Sequence, residues 1–327
     1  MEKYLAPKAA PTFKLMLLFL TCFLSSCGQH GQVANKAGVV ALGDTIKQLV
    51  EQLGKETEFH ASPGIGIAGE TTQQYILSDS LRHIATTEQL AHLALSHPSP
   101  VVRLSASYGL MKRDPHIAAE IAIEGILDTA MCRIVNGCIS RCSSVSEDRL
   151  ITLRVNREYY GLSAEDSICL DSAILYKPYY DKYDRDIMAI LMESLVPRPQ
   201  YYERLKEMYQ KEHCIYAMIG IAKYQRAPDM QLMTDMAKKA IRLMHEKHDE
   251  LQREWEKYGD GLEVLEEEEI EDIDDNTCKP PQEPSENNAY EVTSVMIKST
   301  SFWPDKELIR IVQPLREFNP YLYDDKL

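Results

Sequence analysis

The stretch that decides the fold is residues 86–130, TTEQLAHLALSHPSPVVRLSASYGLMKRDPHIAAEIAIEGILDTA. Apolar residues recur there at i, i+3 and i+4, the spacing that places them on one side of an α-helix. Proline turns at residues 98–100 and 114–115 divide the stretch into three helical segments. Helices this short cannot bury their apolar stripes alone, so they must stack on neighbouring helices. The sequence therefore predicts an all-α fold of stacked helix pairs.

This segment resembles a HEAT repeat, whose turn carries Asp-Pro four or five residues before Val-Arg. Here His97-Pro98 precedes Val102-Arg103 at that spacing. The resemblance implies a HEAT-like α-solenoid of roughly four or five helix pairs. Because His97 replaces the aspartate, the usual Asp-to-Arg hydrogen bonds between repeats are in question. Solenoids of this class are scaffolds for other molecules, but the fold does not identify the client.

Length and charge narrow the class of protein. The 327 residues are 44% hydrophobic, which is enough for a large core in one or two domains. Lys and Arg number 36 against 50 Asp and Glu, so the formal net charge is −14. A protein that binds nucleic acid needs a basic face for the phosphates. The composition therefore excludes nucleic acid as the expected partner.

The N-terminal segment has the pattern of a secretory signal. Three lysines precede an apolar run over residues 15–24, which is too short to span a membrane. The run ends in Leu24-Ser25-Ser26-Cys27, which resembles the lipobox of bacterial lipoproteins. The resemblance implies removal of residues 1–26 and acylation of Cys27, including palmitate-type chains. An ordinary signal peptide cleaved elsewhere, or a short buried helix, is the alternative.

The expected cellular location and the first domain boundaries follow from this signal. A lipidated Cys27 would anchor the protein in the bacterial cell envelope, at the outer membrane, facing the periplasm or the surface. Residues 27–38 are expected to be a tether, and residues 39–259 a HEAT-like repeat domain. Residues 260–289 form an acidic insertion, expected to be disordered, and residues 290–327 a final helical pair.

The acidic insertion carries most of the negative charge. Residues 260–286 contain twelve acidic side chains and one lysine. Within it, Asp272, Asp274, Asn276 and Glu283 occupy ligand positions of an EF-hand loop. Thr277 stands where that loop requires glycine, so an EF-hand is not expected. Loose binding of divalent cations by the carboxylates stays open.

The cysteines of the mature chain raise the question of disulfides. Cys132, Cys138, Cys142 and Cys169 lie close in sequence, and an oxidising envelope favours at least one disulfide among them. Buried thiols are the alternative. The tight CxxC pair of structural zinc sites is missing, so no metal is predicted. The turn signal Asn136-Gly137 places this cluster on a loop.

One short segment matches a cofactor motif by its letters. Residues 64–69, GIGIAG, match the GxGxxG dinucleotide fingerprint, but the preceding residues do not have the pattern of an apolar strand. We therefore interpret them as a glycine loop before a helix over residues 71–84. The sequence contains no HExxH, GxSxG or P-loop motif. No catalytic residue and no cofactor is predicted.

A tyrosine-rich turn is the remaining candidate site. Tyrosine is frequent at binding hot spots, because its ring packs while its hydroxyl stays hydrated. The candidate partner-binding residues are Tyr179, Tyr180, Tyr183, Lys177, Lys182 and Arg185. The sequence therefore predicts a membrane-anchored lipoprotein that acts as a protein-binding scaffold in the envelope. An envelope glycan-binding module is the alternative, and an enzyme is a weaker one.

Overall fold

The computed structural model describes residues 40–176, 185–258 and 288–318. This part of the chain holds fourteen α-helices and one small β-sheet. The predicted helical class is confirmed, and one small three-stranded sheet, which the sequence did not predict, accompanies the helices. No helix within the described ranges is both long enough and apolar enough to cross a bilayer.

The five helices within residues 44–124 are short. They are α1 (Asp44–Leu53), α2 (Gln73–Ile84), α3 (Thr87–Ser96), α4 (Pro100–Arg113) and α5 (Pro115–Glu124). Their starts follow local chemistry: Thr86 and Gln89 form a capping box on α3, and proline occupies the first turn of α4 and α5. The helix starts in residues 86–130 were therefore predictable.

Nine helices follow the sheet. They are α6 (Val145–Val155), α7 (Arg157–Tyr160), α8 (Ala164–Tyr176), α9 (Arg185–Ser194), α10 (Pro199–Lys211), α11 (Ala217–Ala222), α12 (Met230–Tyr258), α13 (Ala289–Phe302) and α14 (Lys306–Phe318). Ser163 caps α8 by accepting a hydrogen bond from the Asp166 N–H at 3.0 Å. The methionine stripe of α12 is buried at Met233, Met236 and Met244, so it is part of the core.

Two rows of helices run through the described part. In the first row, α3 contacts α5, α5 contacts α8, and α8 contacts α10. In the second row, α4 contacts α6, α6 contacts α9, α9 contacts α11, and α11 contacts α13. The buried side chains between the elements form one continuous hydrophobic cluster. Successive helices therefore share a single core.

The sheet contains β1 (Glu58–Ile65), β2 (Met131–Gly137) and β3 (Ile139–Ser144). The β1 strand pairs with β2 in parallel, and β2 pairs with β3 in an antiparallel hairpin. Sequence reasoning assigned both regions to loops. The sequence did not reveal the strands because polar residues interrupt the alternation of apolar and polar side chains. In addition, β1 pairs with a strand that is distant in the sequence. The turn signal at Asn136-Gly137 was correct, since the hairpin turns directly after Asn136.

The glycine motif is a turn rather than a nucleotide site. A bridge between Ile65 and Glu70 closes the turn, with Gly66 and Gly69 at positive φ. The dinucleotide fingerprint requires a helix that opens on the glycines. Here α2 begins later, after the cap residue Thr72. Although a strand does precede the glycines, contrary to expectation, the turn does not present them to a pyrophosphate.

Arg103 of the HEAT-like segment finds a different acidic partner. Its guanidinium donates from Nη2 to Asp128 Oδ1 at 3.0 Å, and from Nη1 to the carbonyl oxygens of His97 and Pro98. The same aspartate forms a 3.7 Å ion pair with Arg149, whose side chain is almost fully buried. Asp128 therefore joins two buried arginines and takes the place of the aspartate that His97 replaces.

Candidate anion-binding pocket

A pocket of about 810 Å³ opens where the ends of α6, α9 and α11 meet in the second row. Its lining residues come from these ends, from α7 and from the segment after α9. They are Arg154, Val155, Arg157, Glu158, Ile190, Glu193, Ser194, Leu195, Val196, Pro197 and Lys223. Three cations and two carboxylates thus surround a partly apolar wall.

Arg154 lies at the base of the pocket. Its side chain is buried, and its Nη2 forms a 2.7 Å ion pair with Asp171 and donates to the Ser194 carbonyl at 2.6 Å. The Nε and Nη1 groups have no hydrogen-bond acceptor among the described residues. A buried donor without an acceptor is costly, so an acceptor that reached Nε or Nη1 after a small movement of the side chain would be stabilised.

The attraction between Arg154 and Asp171 does not fully offset the cost of burying their charges. Burial raises the pKa of Asp171 to about 6, although the charges of Arg154 and Arg198 act in the opposite direction. Burial also lowers the pKa of Arg154, although Asp171 acts in the opposite direction. Both directions show that desolvation of the two charges exceeds their mutual attraction. Additional polar contacts to Arg154 would offset part of this cost.

Lys223 follows α11 and reaches back to the end of α9. Its Nζ donates to the carbonyl oxygens of Glu193 and Leu195, the latter at 2.7 Å. The ammonium also lies 4.5 Å from the centre of the Phe302 ring. Burial, aided by the positive charge of Arg154, lowers the pKa of Lys223 to about 8. The lysine is therefore a cation at neutral pH that loses its charge in mildly alkaline solution.

Arg157 supplies the third positive charge. Its partly exposed guanidinium forms no ion pair or side-chain hydrogen bond with the part of the chain that the structure describes. Glu193, in contrast, already forms an ion pair with Lys298 of α13. The lining carries three cations against two carboxylates, and Asp171 beneath Arg154 offsets the excess positive charge. An anion would therefore be held by close contacts with the arginines rather than by the net charge of the pocket.

A purely structural role explains only some of these contacts. The last carbonyl groups of a helix lack partners inside it, and cations near them are stabilising. Arg154 and Lys223 stabilise the C-terminal end of α9 in this way, because they donate hydrogen bonds to the carbonyl oxygens of Ser194 and Glu193. This role does not account for the open donors of Arg154 or for Arg157. The arrangement is suited to binding an anion.

A second polar cluster holds the glycine turn in place. His60 Nδ1 lies 2.6 Å from Thr72 Oγ1, and His60 Nε2 lies 2.7 Å from Glu58 Oε1. A hydroxyl, an imidazole and a carboxylate in this order can activate a nucleophile. Thr72, however, accepts the Tyr75 N–H as the cap of α2, and His60 is buried. We interpret the cluster as the connection between β1 and α2.

The structure does not describe the side chains that the sequence predicts to bind a partner. Cys27 and residues 177–184, with Tyr179, Tyr180, Tyr183, Lys177 and Lys182, lie outside the described residues. The side chain of Arg185 is likewise outside them. The EF-hand-like positions and residues 260–287 of the acidic insertion are also outside. Their predicted roles therefore stay predictions.

The predicted disulfide within the four-cysteine cluster is wrong. Cys132, Cys138 and Cys169 are thiols, and Cys142, which is disulfide-bonded, therefore has a different partner. The register explains this outcome, because Cys142 faces Arg133 across the hairpin. Neighbouring residues of a strand point to opposite faces, so Cys132 points away from Cys142 into the core.

The pocket residues themselves were missed by sequence reasoning. Arg154 and Arg157 are close in sequence, but Glu193 and Lys223 belong to other helices. No motif links them, because the row of stacked helices brings their ends together. Two arginines at the end of a helix beside the exposed Val155 were the only local signal. That pattern is common on ordinary helices.

Comparisons with known proteins add no assignment. No protein-family model matches the chain, and neither curated proteins nor solved structures show a significant similarity to it. Within the described ranges, no group of three or more His, Cys, Asp or Glu side chains is placed to hold a metal ion. The pocket is therefore the feature from which a function can be proposed.

We expect the anion affinity of the pocket to fall as the pH rises through about 8, where Lys223 loses its charge. Acetate stays ionised across this range, and the arginines keep part of the attraction. Loss of one charged hydrogen-bond donor predicts an affinity about ten-fold lower at high pH. NMR titrations with acetate below and above this pH would measure the change. Lys223→Met should bind weakly and show no such step.

Proposed function

We propose that this chain is a lipid-anchored protein of the bacterial envelope that binds protein partners on a HEAT-like α-solenoid. The pocket among α6, α9 and α11 is the proposed docking point for an acidic group of the partner. The observation that carries the proposal is Arg154, whose buried Nε and Nη1 lack acceptors in the part of the chain that the structure describes. Arg157 lines the same pocket.

The order of helix contacts supports the solenoid part of the proposal. Each helix of a row contacts the next one in that row, as expected when helix pairs stack in sequence. Contacts from Arg154 and Lys223 to the end of α9 bring three successive C-terminal ends together. Helices of one row then run in the same direction, which is how repeats present a continuous binding surface.

The test is a comparison of captured partners. Wild-type protein and the Arg157→Gln variant would be isolated from detergent-solubilised envelopes, and their bound proteins identified by mass spectrometry. We expect a client that the wild type retains and the variant loses. Arg242→Gln serves as the matched control, since the side chain of Arg242 on α12 is exposed and does not line the pocket. Equal capture by all three proteins, or retention on envelope polysaccharide alone, would contradict the proposal.

The proposed anchor has a separate test at Cys27. Lipoprotein processing requires the cysteine thiol, so Cys27→Ala is expected to leave an uncleaved precursor without acyl chains. Mass spectrometry of the intact protein would show the difference. The wild type should begin at an acylated Cys27. A wild-type protein that begins elsewhere, or has no acyl chain, would contradict the anchor and leave the pocket argument intact.

A further inference from the structure

We propose that the pocket recognises a carboxylate on an apolar stem, held by Arg154 and Arg157. This inference rests on the proposed function and names the chemistry of the acidic group. The carboxylate can be the C-terminus of a polypeptide or the side chain of a glutamate or aspartate. Both sources offer the same two oxygen acceptors.

The two arginines supply hydrogen-bond donors for acceptor oxygens. Arg154 leaves Nε and Nη1 without acceptors among the described residues, and each of them can donate to one oxygen. Hydrogen bonds from an arginine to a carboxylate oxygen are charge-assisted and short. Arg157 lines the pocket nearby and can add a second contact.

The surrounding charges favour a single negative charge over a phosphate dianion. Asp171 lies directly beneath Arg154, and Glu193 lines the wall. The carbonyl end of α9 adds partial negative charge on the same side. Repulsion from these groups grows with the charge of the ligand. A monoanion gains the arginine contacts with about half the repulsion that a dianion would meet.

The size and the wall of the pocket favour an extended stem. A volume of about 810 Å³ falls in the range of sites for small molecules and chain ends, and it exceeds what a lone anion needs. Val155, Ile190, Leu195, Val196 and Pro197 supply apolar surface beside the cations. A chain that ends in a carboxylate and carries small apolar side chains would cover this wall.

The test uses two fluorescein-labelled hexapeptides of sequence Gly-Ser-Gly-Ala-Val-Leu, one with a free C-terminus and one amidated. The detergent-solubilised mature protein is titrated into each while fluorescence polarisation is followed. Charged hydrogen bonds to one carboxylate predict that the free acid binds at least about ten-fold tighter than the amide. An amidated peptide with glutamate in the last position reports a side-chain carboxylate. Equal affinity of all three peptides would overturn the inference.

The variants separate recognition from folding. Arg157 forms no ion pair or side-chain hydrogen bond with the described residues, so Arg157→Gln should keep the melting temperature and reduce the preference for the acid. Arg242→Gln should leave the preference unchanged. Inorganic phosphate at equal concentration should displace the peptide less well than acetate does. If phosphate displaces it better, the pocket is a phosphate site and the carboxylate assignment is wrong.

The two proposals can fail separately. A client that depends on Arg157, combined with equal binding of acid and amide peptides, would reject the carboxylate and keep the docking function. A preference for the acid peptide without any client in the envelope would reject the protein scaffold and keep the carboxylate site.

Discussion

Replacing Asp128 with alanine is expected to lower the free energy of unfolding by about 3 to 5 kcal/mol. Asp128 lies 2.8 Å from Arg103 Nε and 3.7 Å from Arg149 Nη1, and both arginines are largely buried. Without the carboxylate, two guanidinium groups would stay in the interior without their shared counter-ion. Removal of one partner from a buried ion pair is strongly destabilising for this reason.

Urea unfolding followed by circular dichroism would measure this loss. The matched control is Asp44→Ala on α1, because Asp44 is almost fully exposed and pairs with the exposed Lys47. An exposed pair of this kind contributes little, so the control should stay within about 0.5 kcal/mol of the wild type. A loss below about 1 kcal/mol for Asp128→Ala would show that Asp128 does not hold the two arginines together.

The second large effect is expected for Phe59→Ala, with a loss of about 3 to 5 kcal/mol. Phe59 is fully buried on β1, and its ring packs edge-on against Tyr108 of α4 with 4.9 Å between the centroids. Arg82 of α2 lies over the same ring at 5.8 Å. Removing the ring would leave a cavity between the sheet and two helices, and it would also remove the aromatic contact.

A graded series would test this assignment in the same unfolding experiment. Phe59→Leu retains much of the apolar volume and should lose clearly less stability than Phe59→Ala. Tyr159, whose side chain is largely exposed, provides an aromatic control, and Tyr159→Ala should change the stability by about 0.5 kcal/mol or less. Equal effects at Phe59 and Tyr159 would contradict the packing of β1 against the helices.

Features set by neighbouring residues were predictable from the sequence. The cap at Ser163, the proline at the start of α4 and the long methionine-striped helix α12 all appear where the local pattern places them. In each case the stabilising contacts lie within a few residues of one another. Propensity and periodicity report on such contacts directly.

Features set by distant residues were not predictable. The β1 strand is polar at Glu58 and His60 and becomes a strand because β2 pairs with it. The usual acidic partner of Arg103 was in question because His97 replaces it, and Asp128 supplies one from beyond α5. The pocket has the same origin, since it exists only where helix ends from different parts of the chain meet. Single-sequence patterns carry no information on these pairings.

The central claim is that the pocket lined by Arg154 and Arg157 is the ligand site of this protein. A crystal structure of the mature chain with the free-acid hexapeptide would test it most directly. The account predicts the peptide carboxylate within hydrogen-bond distance of Arg154 Nη1 and Arg157, with the leucine side chain against Leu195 and Val196. A peptide bound elsewhere, with the donors of Arg154 facing only water, would contradict it.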